Sequence, residues 1–151
     1  MTTIPHAGAE LERVQTATDL RLAIGRTARR MRQHAGQELS PSRSTLLDTI
    51  ARHGPLSPSR LAELERMSRP TITRLVAKLK AEDYVECLPD PDDGRSYQIS
   101  ISPKGKALRD VRRRRKSEYL TRLLESADER DLQILGSAAE VLMRLLEKDG
   151  V

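Results

Sequence analysis

The chain has 151 residues, of which 37% are hydrophobic and 32% charged, and it contains no Phe, no Trp and three Tyr. This length corresponds to one domain, or to one compact domain with helical extensions, and a core built mainly from aliphatic side chains favours helices. No apolar run approaches the roughly 18 residues that span a bilayer, and the single cysteine excludes an internal disulfide framework. We therefore expect a cytoplasmic protein without a membrane segment.

Basic charge is concentrated in the first three quarters of the chain. Residues 1–116 contain 23 Lys and Arg against 14 Asp and Glu, whereas residues 117–151 contain 4 against 8, which gives the net charge of +5. A positive surface attracts phosphate and releases counterions on binding, so this distribution favours a polyanionic partner. A basic surface can also serve solubility alone, and the composition leaves that interpretation open.

The N-terminal region is predicted to form one long helix. Residues 1–9 show no periodicity and are expected to be disordered. From about Glu10 to Gln33, two apolar rows predict a helix with a wide buried face, and Gly36 is a suitable end. We assign residues 1–36 to a tail and a dimerisation helix.

Ser-Pro pairs mark the starts of three further helices, because Ser caps free amides and Pro is tolerated at the first helical position. Ser40-Pro41 begins a helix that ends at His53-Gly54, and Ser57-Pro58 begins a short one. Ser102-Pro103 begins a long helix that runs past Leu120.

The central element is the helix from Ser68 to Leu79. Ser68 is a suitable N-cap, and apolar residues then recur at i, i+3, i+4 and i+7, which buries one face. Only a few residues separate this helix from the short one before it, and such a pair is typical of a helix-turn-helix. The buried face is Ile72, Leu75, Val76 and Leu79, and the other directions carry Pro70, Thr71, Thr73, Arg74 and Lys78.

After Lys80 the period of the pattern changes from 3.6 residues to 2. Tyr84–Leu88 and Tyr97–Ile101 are rich in strand formers, and the loop Pro89–Arg95 between them is rich in turn residues. A hairpin alone is marginal in water, so this one needs support from the preceding helices. A helix-turn-helix followed by such a hairpin is a winged helix, to which we assign residues 40–101.

Residues 102–151 are predicted to contain two helices that contribute to a dimer interface. Ser126 and Glu129 are predicted to form a capping box at the start of the second. That helix has more apolar surface than one small domain can cover, so it is expected to pair with the first helix of the chain in a dimer. Its two apolar rows are Leu132, Leu135, Ala139, Leu142 and Leu146, and Ile134, Ala138, Val141 and Leu145.

The basic run Arg112–Lys116 lies within the helix that starts at Pro103. Four successive helical residues cover about 300° of the circumference, so they cannot all face one partner. We expect some of them to be solvated or ion-paired, with Glu118 or with acidic residues of the last helix, and a contribution to phosphate attraction stays open.

These motifs, in this order, resemble the MarR family of bacterial transcriptional regulators. The resemblance is carried by Ser57–Leu64, Ser68–Leu79, the Asp-x-Arg wing tip within Asp90–Ser96, and Ser102–Gly105, and it is clearest over about residues 46–110. It implies a mainly α fold with a small β-hairpin wing and with N- and C-terminal dimerisation helices. It also implies a triangular homodimer in which each recognition helix enters the major groove of one DNA half-site and each wing reaches the minor groove.

The resemblance also implies which residues contact DNA. An arginine in the first turns of a recognition helix can bond guanine O6 and N7 together, which we expect of Arg74, with Arg69 more suited to phosphate. Gly94 permits a sharp turn in the wing, and Asp93 matches the aspartate that holds the wing arginine and the loop in shape. The predicted DNA contacts are Ser68, Arg69, Thr71, Thr73, Arg74 and Lys78 on the helix and Arg95 on the wing.

The function implied is that of a repressor that binds a pseudo-palindromic operator as a homodimer. Small effectors of such proteins, often phenolic anions, bind between the dimer helices and the winged helix, and no motif marks that pocket here. The alternative is an architectural or protein-contacting winged-helix dimer without strong sequence specificity.

Other functions have little support in the sequence. No P-loop, dinucleotide fingerprint or nucleophile–base arrangement is present, so we expect neither an enzyme nor a cofactor. The three histidines lack the i, i+4 pairing of a helix-borne metal site. Cys87 lies in a predicted strand, where a small packed side chain is the usual role, rather than a redox one.

Overall fold

The computed structural model describes residues 6–90 and 97–149. Within these ranges the chain forms six helices and one two-stranded sheet, so the predicted mainly α fold with a β-hairpin is confirmed. The described residues divide into two compact units, one up to residue 116 and one from residue 117 onwards. The elements are α1 (His6–His34), α2 (Pro41–His53), α3 (Pro58–Glu65), α4 (Arg69–Ala81), β1 (Val85–Pro89), β2 (Tyr97–Ile101), α5 (Pro103–Leu124) and α6 (Glu129–Lys148).

The serine caps predicted from the sequence are confirmed. The hydroxyl groups of Ser40, Ser57 and Ser68 each accept a hydrogen bond from the amide three residues further on, and a proline stands in the first turn of each helix. At the start of α5, the Ser102 hydroxyl accepts from the Gly105 amide at 2.9 Å and donates to the carbonyl of Asp83. These caps fix where each helix of the winged helix begins.

The N-terminal helix starts earlier than predicted. α1 begins at His6, so the expectation of disorder is wrong for residues 6–9, while residues 1–5 lie outside the described part of the chain. Alanine is the best helix former, and Ala7 and Ala9 flank Gly8. The glycine destabilises the helix by about 1 kcal/mol relative to alanine, which does not prevent a long helix from forming. The predicted end is confirmed, because α1 stops at His34 and Gly36 adopts a φ of 99°.

The predicted capping box of the last helix is wrong. The N-cap of α6 is Asp128, whose carboxylate accepts from the Asp131 amide at 2.8 Å. The Ser126 hydroxyl instead donates to the carbonyl of Leu123 at 3.2 Å. A carboxylate at a helix N-terminus is also stabilised by the helix dipole, which favours the aspartate over the serine two residues before it.

The core lies where the helix-turn-helix, α2 and the hairpin meet. The buried aliphatic side chains of α2, α3 and α4 converge with one buried residue of each strand, so a single cluster supports the whole winged helix. Close packing of this kind holds each helix at one fixed angle. The largest fully buried side chains are Leu46, Leu47, Ile50, Leu61, Ile72, Leu79 and Ile99.

The hairpin is antiparallel, with Val85 opposite Ile101 and Pro89 opposite Tyr97. Its free edge is paired with Leu56, whose amide donates to the Ile99 carbonyl at 3.0 Å and whose carbonyl accepts from the Ile99 amide at 2.8 Å. A two-stranded hairpin needs such support to be stable. The backbone just before α3 therefore holds the base of the wing.

The two terminal helices expose the apolar faces that the sequence predicted to be buried. No residue of α6 is buried within the single chain. In α6, Leu135 is 50% exposed and Leu145 54% exposed, and in α1, Leu11 is 77% exposed and Val14 62%. These apolar side chains of α1 and α6 are therefore not covered by the described part of the chain.

Candidate nucleic-acid interface

The turn between α3 and α4 is short and sharply defined. α3 ends at Glu65, and Arg66 adopts the left-handed conformation with φ 51° and ψ 40°. The amide of Met67 then donates to the carbonyl of Ala62 at 3.0 Å, and Ser68 caps α4. This left-handed cap was missed in the sequence, because glycine or asparagine is the usual residue at such a position.

The predicted two faces of α4 are present. Ile72, Leu75, Val76 and Leu79 are buried. Of the predicted contact residues, Thr71 is half-buried and the others on this helix are exposed. The structure thus brings the residues predicted from the sequence together on one accessible side of α4: Ser68, Arg69, Thr71, Thr73, Arg74 and Lys78.

The hydroxyl groups on this side are occupied by bonds within the protein. The Ser68 hydroxyl accepts from the Thr71 amide at 3.4 Å and shares a hydrogen bond of 2.9 Å with the Thr71 hydroxyl. The Thr73 hydroxyl donates to the carbonyl of Arg69 at 3.0 Å. The hydroxyl oxygens can therefore accept further hydrogen bonds, but the bonds within the protein already fix the orientation of these side chains.

The cations on this side of α4 differ in how they are held. Arg69 donates from Nη2 to the hydroxyl of Ser59 in α3. Among residues 6–90 and 97–149, the side chains of Arg74 and Lys78 form neither a hydrogen bond nor an ion pair. Arg74 and Lys78 are one helical turn apart, so they project on the same side. The guanidinium group of Arg74 and the ammonium group of Lys78 are therefore available to an external anion.

An ion pair and a hydrogen bond hold the end of α4 in place from two neighbouring helices. Arg43 at the start of α2 pairs with Glu82, which follows α4. Lys104 in α5 donates to the Glu82 carbonyl at 2.8 Å, and its ammonium lies 5.2 Å from the centre of the Tyr84 ring. A site on a braced helix keeps its geometry better than one on a loop.

The wing tip lies outside the described residues. Asp93, Gly94 and Arg95 all fall in residues 91–96, so their predicted positions stay predictions. The base of the wing is described, and there the amide group of Gln98 donates to the carboxylate of Asp90 at 3.3 Å.

The basic run of α5 is ion-paired, but its partner was predicted wrongly. Arg112 is only 5% exposed, and it pairs with Glu38 at 3.1 Å, while Arg115 pairs with the same carboxylate at 2.7 Å. The hydrogen bond from Arg115 is the main cause that lowers the pKa of Glu38 below its ordinary value of 4.5. Glu38 belongs to the connection between α1 and α2, which folds back onto α5. These two arginines therefore pair with Glu38 and not with Glu118 or an acidic residue of the last helix.

A cavity of about 190 Å³ lies between α2 and α5. Among the described residues that line it, Asp48 is the only acidic one, and it already accepts from Arg109 Nε at 2.8 Å. The Nε atom of the buried Arg112, which also lines it, has no hydrogen-bond partner in the described chain. Such a cavity is suited to an anion with an apolar part. The lining is Leu39, Ser44, Leu47, Asp48, Arg52, Arg109, Arg112, Arg113 and Lys116.

Metal and redox chemistry find little support in the described residues. Within them, no group of three His, Cys, Asp or Glu side chains is placed to hold a metal ion. Cys87 is half-buried on β1, and this burial raises the pKa of its thiol, which disfavours the reactive thiolate. None of the described helices is long and apolar enough to cross a membrane.

Two comparisons of sequence place this chain among known regulators. The sequence model of the MarR family matches residues 37–96. An HTH-type transcriptional regulator of Mycobacterium tuberculosis is 34% identical over 133 residues, which are 87% of this chain and 93% of the relative. The HTH-type transcriptional repressor NicR of Pseudomonas putida is 33% identical over 85 residues, 56% of this chain and 54% of NicR.

Solved structures share the fold over most of the chain. A transcriptional regulator of Pseudomonas aeruginosa has a TM-score of 0.81 at 28% identity, covering 89% of this chain and 96% of that one. Staphylococcus aureus MepR, crystallised with an oligodeoxyribonucleotide, has a TM-score of 0.69 at 16% identity, covering 87% and 97%. Fold and site together define the class of winged-helix DNA-binding regulators. The chain belongs to the MarR family of transcriptional regulators, and the resemblance seen in the sequence is confirmed.

Proposed function

We propose that this regulator is a cytoplasmic repressor that binds a pseudo-palindromic DNA operator as a homodimer and is released by a small anionic effector. The observation that carries the DNA part is the accessible side of α4, where Arg74 and Lys78 have no partner in the described chain. Cationic groups left without an internal partner are available to neutralise phosphate or to bond base edges.

The residues of α4 divide into two kinds of DNA contact. Arg74 is free to present two N–H groups of its guanidinium to O6 and N7 of one guanine, which is worth about 1–3 kcal/mol of discrimination. Arg69 is tied to Ser59, so it is better suited to a phosphate at a fixed position than to a base. Arg95 is proposed to enter the minor groove, with Asp93 and Gly94 shaping the wing around it.

We propose that a second copy of the chain packs against the exposed apolar faces of α1 and α6. Leu135 and Leu145 of α6 and Leu11 and Val14 of α1 are at least half exposed in the single chain. Exposed patches of this kind mark interaction surfaces. A two-fold dimer places its recognition helices in major grooves about one turn, or ~34 Å, apart on one DNA face.

Repression is proposed to follow from occupying the promoter, and release from an effector. The cavity between α2 and α5 supports an effector that combines an anionic group with an apolar or aromatic body, such as a phenolic acid. Arg112 and Lys116 would face the anion, and Leu39 and Leu47 would face the apolar part. Binding there would lower DNA affinity only if the effector prefers the DNA-free conformation.

The experiment that tests this function selects bound DNA from a random pool and compares it with a scrambled duplex of equal composition. Specific regulators typically bind their sites about 10³–10⁷ times more tightly than random DNA. A ratio near one across all salt concentrations would contradict the proposal and leave an architectural or protein-contacting role. The mass of the DNA-free protein, measured by sedimentation, tests separately whether it is a dimer.

A further inference from the structure

One carboxylate ties the connection between α1 and α2 to α5. Glu38 accepts from Arg115 Nη1 at 2.7 Å and from Arg112 Nη1 at 3.1 Å. The same two nitrogens donate to the backbone, from Arg115 to the carbonyl of Ala35 at 3.3 Å and from Arg112 to that of Gly36 at 2.8 Å. We call these five residues the Glu38 clamp.

The Glu38 clamp is closely packed. The Arg112 side chain is 6% exposed, against 34% for Glu38 and 40% for Arg115. Gly36 has a φ of 99°, and a Cβ there would lie 2.1 Å from Glu38 Oε2 and 2.4 Å from Arg115 Nη1. The backbone therefore passes directly against the ion pairs, and no larger residue fits without displacing them.

The Glu38 clamp acts on a helix that has few other means of being fixed. No described side chain of α1 is buried, and the first buried residue after it is Ala35, whose carbonyl belongs to the clamp. α5 is joined to the winged helix through the Ser102 cap and through the pair of Arg109 with Asp48. The clamp thus connects the end of α1 to the body that carries α4.

We propose that Glu38 is a positioning residue for operator binding. By fixing the end of α1 to α5, it sets the separation at which the two winged helices of the dimer present their recognition helices. This inference rests on the proposed dimeric function, in which α1 contributes to the interface. Binding costs less when the bound geometry is already held in the free protein, so a dimer with intact clamps prefers one half-site spacing.

The test compares two duplexes, the operator obtained by selection and the same operator with two base pairs inserted between its half-sites. The spacing ratio is the dissociation constant for the lengthened duplex divided by that for the operator. Glu38→Gln keeps the size of the side chain and removes its charge, and we expect it to lower the spacing ratio by roughly fivefold or more, as typical coupling between sites allows. Affinity for a single half-site should not change.

Glu63→Gln is the control, because Glu63 is an exposed carboxylate paired with an arginine, but its partner Arg60 lies in the same helix, α3. It should keep the wild-type spacing ratio. Arg115→Lys provides the conservative rescue: both bonds of Arg115 come from one nitrogen, which an ammonium group can replace. Arg115→Gln should lower the ratio, and Arg115→Lys should largely restore it.

The results separate positioning from simple stability. An unchanged ratio in folded Glu38→Gln, or an equal loss of affinity for both duplexes and for the half-site, overturns the inference. If circular dichroism shows that Glu38→Gln does not fold, the spacing ratios of Arg115→Gln and Arg115→Lys test the inference instead, because Arg115 is the more exposed of the two arginines in the clamp. A wild-type protein that binds both spacings and the half-site equally overturns the proposed dimeric function itself, a result distinct from any difference between variants.

Discussion

Arg69 and Ser59 join the first turn of α4 to the first turn of α3, because the guanidinium of Arg69 donates to the Ser59 hydroxyl. Arginine presents five N–H donors in a rigid fork, so one bond to Ser59 fixes its plane and leaves other donors for a ligand. The two helices of the helix-turn-helix therefore share one oriented cation at the surface where DNA is proposed to lie.

Ser59→Ala should weaken binding to operator and to random DNA by the same factor. Removing the hydroxyl loses one hydrogen bond, a net effect of about 0.5–1.5 kcal/mol, and a contact to phosphate carries no sequence information. Fluorescence anisotropy with both duplexes measures this, and Ser117→Ala, an exposed serine of α5, is the control. A loss confined to the operator would assign Arg69 to base recognition instead.

Arg74→Ala should lower affinity for the operator much more than for random DNA. A bidentate contact to guanine contributes about 1–3 kcal/mol of discrimination, and the structure leaves the Arg74 guanidinium without a partner among the described residues. Titration of both duplexes at one salt concentration gives the two losses. Arg130→Ala, on the polar side of α6, is the control, and equal losses for Arg74→Ala would make it a phosphate contact.

The features that the sequence predicted correctly depend on residues close together in the chain. The faces of α4 follow from the spacing of Ile72, Leu75 and Val76, and its start follows from Ser68 three residues before the amide that it caps. The position of the hairpin follows from the change of period after Lys80. Such local patterns determine which residues share a face, and for this reason the candidate interface could be proposed before its geometry was known.

The features that the sequence missed depend on distant residues or on local competition. Arg112 meets Glu38 across 74 positions, and no periodic pattern joins them. Arg66 adopts a left-handed conformation that its residue type disfavours, because the tight turn imposes it. At α6, Asp128 replaced the predicted Ser126 cap, since two suitable residues competed for one helix start.

Arg95→Ala should weaken DNA binding and make its dependence on salt shallower. A guanidinium in a narrow minor groove interacts with the enhanced negative potential there, and each neutralised phosphate contributes about 0.9 to the slope of log K against log salt. Binding measured at several salt concentrations gives the slope. An affinity and a slope equal to those of the wild type would remove the wing from the proposed interface.

Leu135→Asp should convert the dimer into a monomer. Leu135 is 50% exposed in the single chain, and a carboxylate placed in an apolar interface loses its hydration without a partner. Analytical ultracentrifugation measures the mass, and Gln133→Asp adds the same charge on the polar side of α6 as a control. A Leu135→Asp protein that stays dimeric would show that α6 does not form the interface.

The stability that Glu38 contributes should depend on pH. Its pKa is lowered in the folded protein, chiefly by the hydrogen bond from Arg115, so the folded state favours the carboxylate. A lowered folded pKa stabilises the protein above the unfolded value, and this contribution is lost as the pH falls through the folded pKa. The difference in unfolding free energy between wild type and Glu38→Gln should thus be largest near neutral pH and shrink below the ordinary glutamate value of 4.5. Urea denaturation at a series of pH values measures it, with Glu86→Gln, an exposed carboxylate of β1, as the control. A difference that stays constant into acid would show that Glu38 stabilises the protein by packing and hydrogen bonding, independently of its charge.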